Sequence, residues 1–224
     1  MSGLNFRTER RTDWHFDVRS GMTTRNPMPE LPPGVSVTGA LDLPVDELRR
    51  ALATHEAGHA VVLLHFGAPF ERVYIRDDLG VAPDHAGSGG AVVLGTTWST
   101  PLLDGLTMLA AGERAQDRWL RENGRWNAKR GWVTELAAIG DRRDIYEAVQ
   151  DAFDEDVTFN TGDDPCRDLA ALHNHTDALL NALWGQVGRI ADALTRHGAL
   201  TEAQAAEAAG FTTDGQKPKR WWGR

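Results

Sequence analysis

Two histidines four residues apart, His55 and His59, constrain the local conformation of this chain more tightly than any other feature. On an α-helix, side chains at i and i+4 lie one above the other on the same face; along a strand the same residues would stand about 13 Å apart. Only a helix brings the two rings to one point. Pro44 followed by Val45-Asp46-Glu47-Leu48 reads as the start of that helix, with proline in the first turn and acids at the positive end of the macrodipole. Leu48, Leu52, the histidine pair and Val62 recur at helical spacing, and Gly67 with Pro69 ends the run. Ala57, Gly58 and Ala60 are small. A glycine inside a helix costs about 1 kcal/mol relative to alanine, so Gly58 implies another element packed closely against it.

The pentad His55-Glu56-Ala57-Gly58-His59 has the form of a zinc site that carries its own general base. Both rings can reach one metal ion, while Glu56 is rotated off their line and can hold a water without being a ligand. Cys166 is the single cysteine, which excludes a disulfide framework and a thiolate zinc cluster. Any zinc must therefore be held by histidine and carboxylate, and a catalytic zinc site takes three protein ligands plus one open position. The sequence is not read as the extended HExxHxxGxxH arrangement, and His65 is expected to be a partly buried packing residue.

Three groups compete for the third position. Glu113, in Glu113-Arg114-Ala115-Gln116-Asp117, has the Glu-x-x-x-Asp form of thermolysin-like enzymes and lies in a helical stretch, although paired acids on a helix are often a solvated face. Asp144, in Gly140-Asp141-Arg142-Arg143-Asp144-Ile145, is equally consistent with a carboxylate stabilising a helix start. Spacing alone does not separate these two. His173 and His175 rank last, because i and i+2 side chains on a helix point apart.

The rest of the chain reads as mainly α (α+β), with a small two-stranded β element. Residues 1–44 form an extended or disordered N-terminal arm, in which Trp14, Phe16 and Val18 alternate as a strand would. Arg72–Arg76 and Gly90–Leu94 suggest two strands joined by a flexible Asp/Gly/Pro-rich connection. Thr100-Pro101 caps a helix reaching about Leu120, and Asn123–Gly140 is a connecting segment. Asp141 caps a helix to about Phe153, and Asp163-Asp164-Pro165 precedes a long helix over about 167–197, closed by Gly198. Thr201-Glu202-Ala203-Gln204 is a capping box for a last helix ending at Gly210. Residues 45–211 thus form one domain, followed by a basic aromatic tail over 212–224 read as solvated.

A net charge of −8 argues against a general nucleic-acid binder. The longest apolar run, Ala60–Leu64, is far too short to span a bilayer, and no apolar segment follows Arg10-Arg11. A soluble cytoplasmic protein is the expectation.

The ordered series of these elements resembles the peptidase domain of the FtsH family of zinc metalloproteases, over roughly Leu43 to Ala209. His55-Glu56-Ala57-Gly58-His59-Ala60 matches the family's HEAGHA form. Arg72–Ile75 and Gly90–Val93 sit where the family has strands, and Ala111–Asp117 resembles its Gly-Gly-Arg-x-Ala-Glu-Glu helix. Ile139–Ile145 resembles the Thr-Gly-Ala-x-x-Asp-(Ile/Leu) element that carries the third zinc ligand, and 190–194 with 198–202 resemble the closing helices.

The resemblance implies a zinc-dependent metalloendopeptidase in which His55, His59 and Asp144 bind Zn2+, Glu56 activates the water, and Arg114–Asp117 belongs to a supporting helix. There are two departures. No G-x-x-x-x-G-K-[ST] loop or spanning segment is present, and Asp141, Arg142 and Arg143 replace the family's small residues. The expected substrates are therefore peptides or unfolded proteins, with a separate ATPase as possible partner. The alternative is a catalytically inactive zinc-binding regulatory or adaptor protein.

Overall fold

A computed structural model gives the conformation of residues 14–30, 35–37, 39–76, 89–95 and 100–211. The fold is built around α1 (Val45–Phe66), which is buried on all sides from Ala51 to Leu63. A helix apolar or small on every face belongs in the interior. α1 packs against α2 (Leu102–Glu122) and α5 (Leu169–His197). Gly67 terminates it in the left-handed region, φ 67°, where glycine carries no Cβ penalty.

Gly58 marks the α1–α2 crossing. A Cβ on it would stand 2.5 Å from the Ala111 carbonyl oxygen and 2.8 Å from the Ala115 Cβ. Backbone cannot yield there, so Gly58→Ala is expected to lower the unfolding free energy by about 1–3 kcal/mol despite alanine's better helix propensity. Urea titration in the presence of a chelator measures this without a contribution from metal. An unchanged midpoint would remove the close crossing as the reason for the glycine.

Over α1 lies a small antiparallel sheet ordered β4-β3-β5, made of β3 (Phe70–Ile75), β4 (Gly90–Leu94) and β5 (Ala199–Thr201). Val73 pairs with Val92 on one side and Leu200 on the other. The expected two-stranded element is present, and the short β5 extends it by one strand between α5 and α6 (Glu202–Ala209). Thr201 caps α6 in a capping box with Gln204.

Three segments differ from their sequence reading. The Asn123–Gly140 connection holds a helix, α3 (Ala128–Ala137), whose Asn127 cap accepts a bond from the Arg130 amide at 2.9 Å; burial of Trp132 and Val133 fixes it against the core. Pro101, not Thr100, stands at the cap position of α2. α4 (Ile139–Phe153) begins two residues before Asp141, so Asp141 lies inside the first turn rather than capping it.

The described part of the arm contains regular structure. β1 (His15–Asp17) and β2 (Met22–Thr24) form a hairpin, and Met22 and Leu41 enter the main core. Trp14 packs against Phe159 and His173, whereas Phe16 and Val18 are exposed. The expected basic tail, the connection over 77–88 and the first 13 residues lie outside the described residues. No helix among the described residues is long and apolar enough to cross a membrane.

Candidate metal centre

His55, Glu56 and His59 are all buried within α1, the two histidines facing α2 and the start of α4. The Nε2 atoms of the two histidines stand 3.2 Å apart. Asp141 brings its Oδ2 to 3.6 Å from His55 Nε2 and 3.7 Å from His59 Nε2. A triangle with these edges has its centre about 2.0 Å from each corner, close to the ~2.0–2.2 Å of zinc bonds to imidazole nitrogen and carboxylate oxygen. The group His55, His59 and Asp141 can therefore hold one metal ion.

The tautomers support this. His59 Nδ1–H donates to the Met108 carbonyl oxygen at 2.7 Å, an atom that can only accept. His55 Nδ1–H donates to Gln116 Oε1 at 3.1 Å. With both Nδ1 protons engaged on α2, the two Nε2 atoms face each other and Asp141, and one cation can take the place of the proton that His55 Nε2 otherwise holds toward Asp141. Gln116 is fully buried and its Nε2 has no hydrogen-bond partner among the described residues. An unsatisfied amide of this kind costs about 1–3 kcal/mol, so its placement is better explained by the ring it orients than by stability.

A single helix provides this support. Met108, Gly112 and Gln116 recur every four residues along one face of α2. Gly112 leaves the room that the rings occupy: a Cβ there would be 2.2 Å from His59 Nε2 and 2.5 Å from His55 Nε2. On the other side, Glu56 lies beneath β4, where a Cβ on Gly90 would meet its Cγ at 2.8 Å and its Oε1 at 2.9 Å.

The charges of the site follow from burial and proximity. Burial acts to strip the proton from His55, but hydrogen bonding to Asp141 and the nearby Glu56 and Asp141 charges outweigh it, pushing that imidazole up to about 9. Burial dominates at His59 and lowers its pKa. Burial also pushes the Glu56 carboxyl up to about 7, against the pull of His55. Asp141 stays below the ordinary carboxylate range, because the two histidines overcome its burial.

Asp144 does not join this group. It is one turn further along α4, rotated about 60° from Asp141 at 100° per residue. Its side chain is 51% exposed, and it pairs with Arg143 at 3.4 Å. The early start of α4 thus directs Asp141, not Asp144, to the histidines.

Glu113 is buried but engaged elsewhere. It accepts two bonds from Arg142, at 2.7 and 2.8 Å, and one from Arg25 at 3.4 Å. Burial would raise its pKa, and these guanidinium groups hold it low instead. Asp117 is bound by Arg121 and Trp126. His173 is buried with its Nε2 4.0 Å from Glu113, while His175 is exposed, as their i, i+2 spacing requires.

His65 needs a fuller correction. It stands ten residues after His55, the spacing of the third histidine in HExxHxxGxxH, but Val62 occupies the glycine position. The helix runs on through Phe66 instead of turning back. His65 is consequently exposed, not partly buried, and packs edge-on against Phe66.

Sequence reasoning did not place Asp141 beside the histidines, nor Met108, Gln116 and Gly112 against their rings. The small residue at 112 was the one available signal. No protein-family model matches this sequence, and neither does any curated protein.

Proposed function

We propose that this protein is a zinc-dependent metallopeptidase whose ion is held by His55, His59 and Asp141 and whose general base is Glu56. The observation that carries this reading is the convergence of two imidazole nitrogens and a carboxylate oxygen about 2.0 Å from a common point, beside a buried glutamate that is not part of the triad. Bound there, zinc would act as a Lewis acid, lowering the pKa of water and polarising a carbonyl. Glu56 accepts the proton from the attacking water and returns it to the leaving amine. The FtsH-like series of sequence elements supports the same reaction.

The substrate class follows from β4. It is an outer strand of its sheet among the described residues, and Gly90 at its start leaves the room that Glu56 occupies. An extended peptide added along this edge would pass over the base. That favours peptides and unfolded chains, with stably folded proteins needing a separate ATPase to present them.

Metal analysis of the purified protein, combined with cleavage of unfolded casein, tests the proposal. The expected result is about one zinc per chain and cleavage that a chelator stops and added zinc restores. Absence of stoichiometric zinc would overturn the reading. Stoichiometric zinc without cleavage of casein or of a peptide library would replace it with the inactive regulatory protein.

A further inference from the structure

We propose that Arg142 is a positioning residue of the metal centre, locking the first turn of α4 so that Asp141 faces the histidines. This rests on the metal-site reading above. Asp141 is half-buried in the first turn of α4, and the cap residue of that helix, Ala138, makes no side-chain capping bond. A helix start lacking a cap has free amide groups and frays readily. The neighbouring residue supplies the missing anchor.

Arg142 points inward and is 1% exposed. Its Nε and one terminal nitrogen donate to the two oxygens of Glu113 at 2.7 and 2.8 Å. The other terminal nitrogen donates to the Thr23 carbonyl oxygen at 2.7 Å. One side chain thereby ties the start of α4 to α2 and to β2. Glu113 follows Gly112, the residue that makes room for the histidine rings, so the ion pair links the third ligand to the helix that orients the first two.

The hairpin completes the clamp. Glu135 of α3, 3.8 Å from Arg142, accepts from the Thr24 hydroxyl, from Arg25 Nε at 3.1 Å and from Asn26 Nδ2 at 3.1 Å. Burying so many charges is expensive, and well-packed apolar residues commonly give equal or greater stability. What a bidentate guanidinium–carboxylate pair adds is a fixed angle, because the planar fork mates with the carboxylate in one geometry. A fixed angle at residue 142 is what Asp141 needs.

The test is a set of zinc affinities measured by competition with a chromophoric chelator, with melting curves to establish that each variant is folded. Arg142→Lys keeps the charge and loses the fork. It is expected to weaken zinc binding by about 10–100-fold, the range for residues that support metal ligands, and to change the visible absorption of the cobalt-loaded protein. Glu113→Gln, which removes the partner instead, should show the same loss. In an Asp141→Ala background, Arg142→Lys should cost nothing further, since the ligand through which it acts is gone. Equal losses in both backgrounds would overturn the proposal by showing general destabilisation. So would unchanged affinity in Arg142→Lys and Glu113→Gln, and in that case wild-type zinc binding would still uphold the metal site. A wild-type protein that binds no zinc would instead remove the metal reading itself.

Discussion

Glu56→Gln is expected to lower the rate of peptide cleavage by about 10²–10⁴-fold, the range attributed to a positioned general acid–base, while zinc remains bound. Glutamine has the same shape, so packing against Gly90 is kept and neither histidine loses its α2 partner. What disappears is a proton acceptor beside the site. A glutamate that helped merely to fill the space under β4 would show no such loss on this substitution. Cleavage of a fluorogenic peptide, measured with the zinc content of the same preparation, separates the outcomes. A variant that cleaves at the wild-type rate eliminates Glu56 as the base; one that loses zinc along with activity shows that it supports the ligands instead.

Much of this fold was legible wherever the determinants are local. The histidine pair required α1, Gly67 and Gly198 close helices, and Thr201 with Gln204 forms a capping box, all set by residues within a few positions of one another. Gly58 was legible for the same reason: an energetic cost in a helix implied the close approach of another backbone. The alternation in Arg72–Ile75 and the apolar run at Gly90–Leu94 gave two strands correctly.

What depends on distant contacts was not legible. α3 carries a mixed sequence, and its helical state rests on burying Trp132. The hairpin is held by Glu135, more than a hundred residues away in sequence. At the site, His59 is oriented by the Met108 backbone carbonyl, a group that every residue type supplies and that no motif can reveal. Arg142 and Arg143 stand where the FtsH-family element has small residues; in the folded chain the first is buried against α2 and the second is solvated.

The choice between two aspartates shows how far helix phase decides a site. Asp141→Ala is expected to weaken zinc binding by more than the ~10–100-fold that loss of a supporting residue costs, because on the proposed reading it removes one of three direct ligands. Asp144→Ala should leave zinc affinity unchanged. Its carboxylate is exposed and bridges to Arg143, and an exposed pair of this kind contributes about 0–1 kcal/mol at most. Isothermal titration of the metal-free variants with zinc distinguishes the two directly. The residues of Gly140–Ile145 allow either aspartate; the start of α4 at Ile139 selects one. Starting at Ile139 places Asp141 in the first turn beside the histidines and carries Asp144 about 4.5 Å further along the axis, turned toward solvent. If Asp144→Ala stripped the zinc and Asp141→Ala did not, α4 would have to begin about one turn later in the metal-loaded protein. Arg142 would then leave Glu113, and the buried network between α2, α3 and the hairpin would have to rearrange with it.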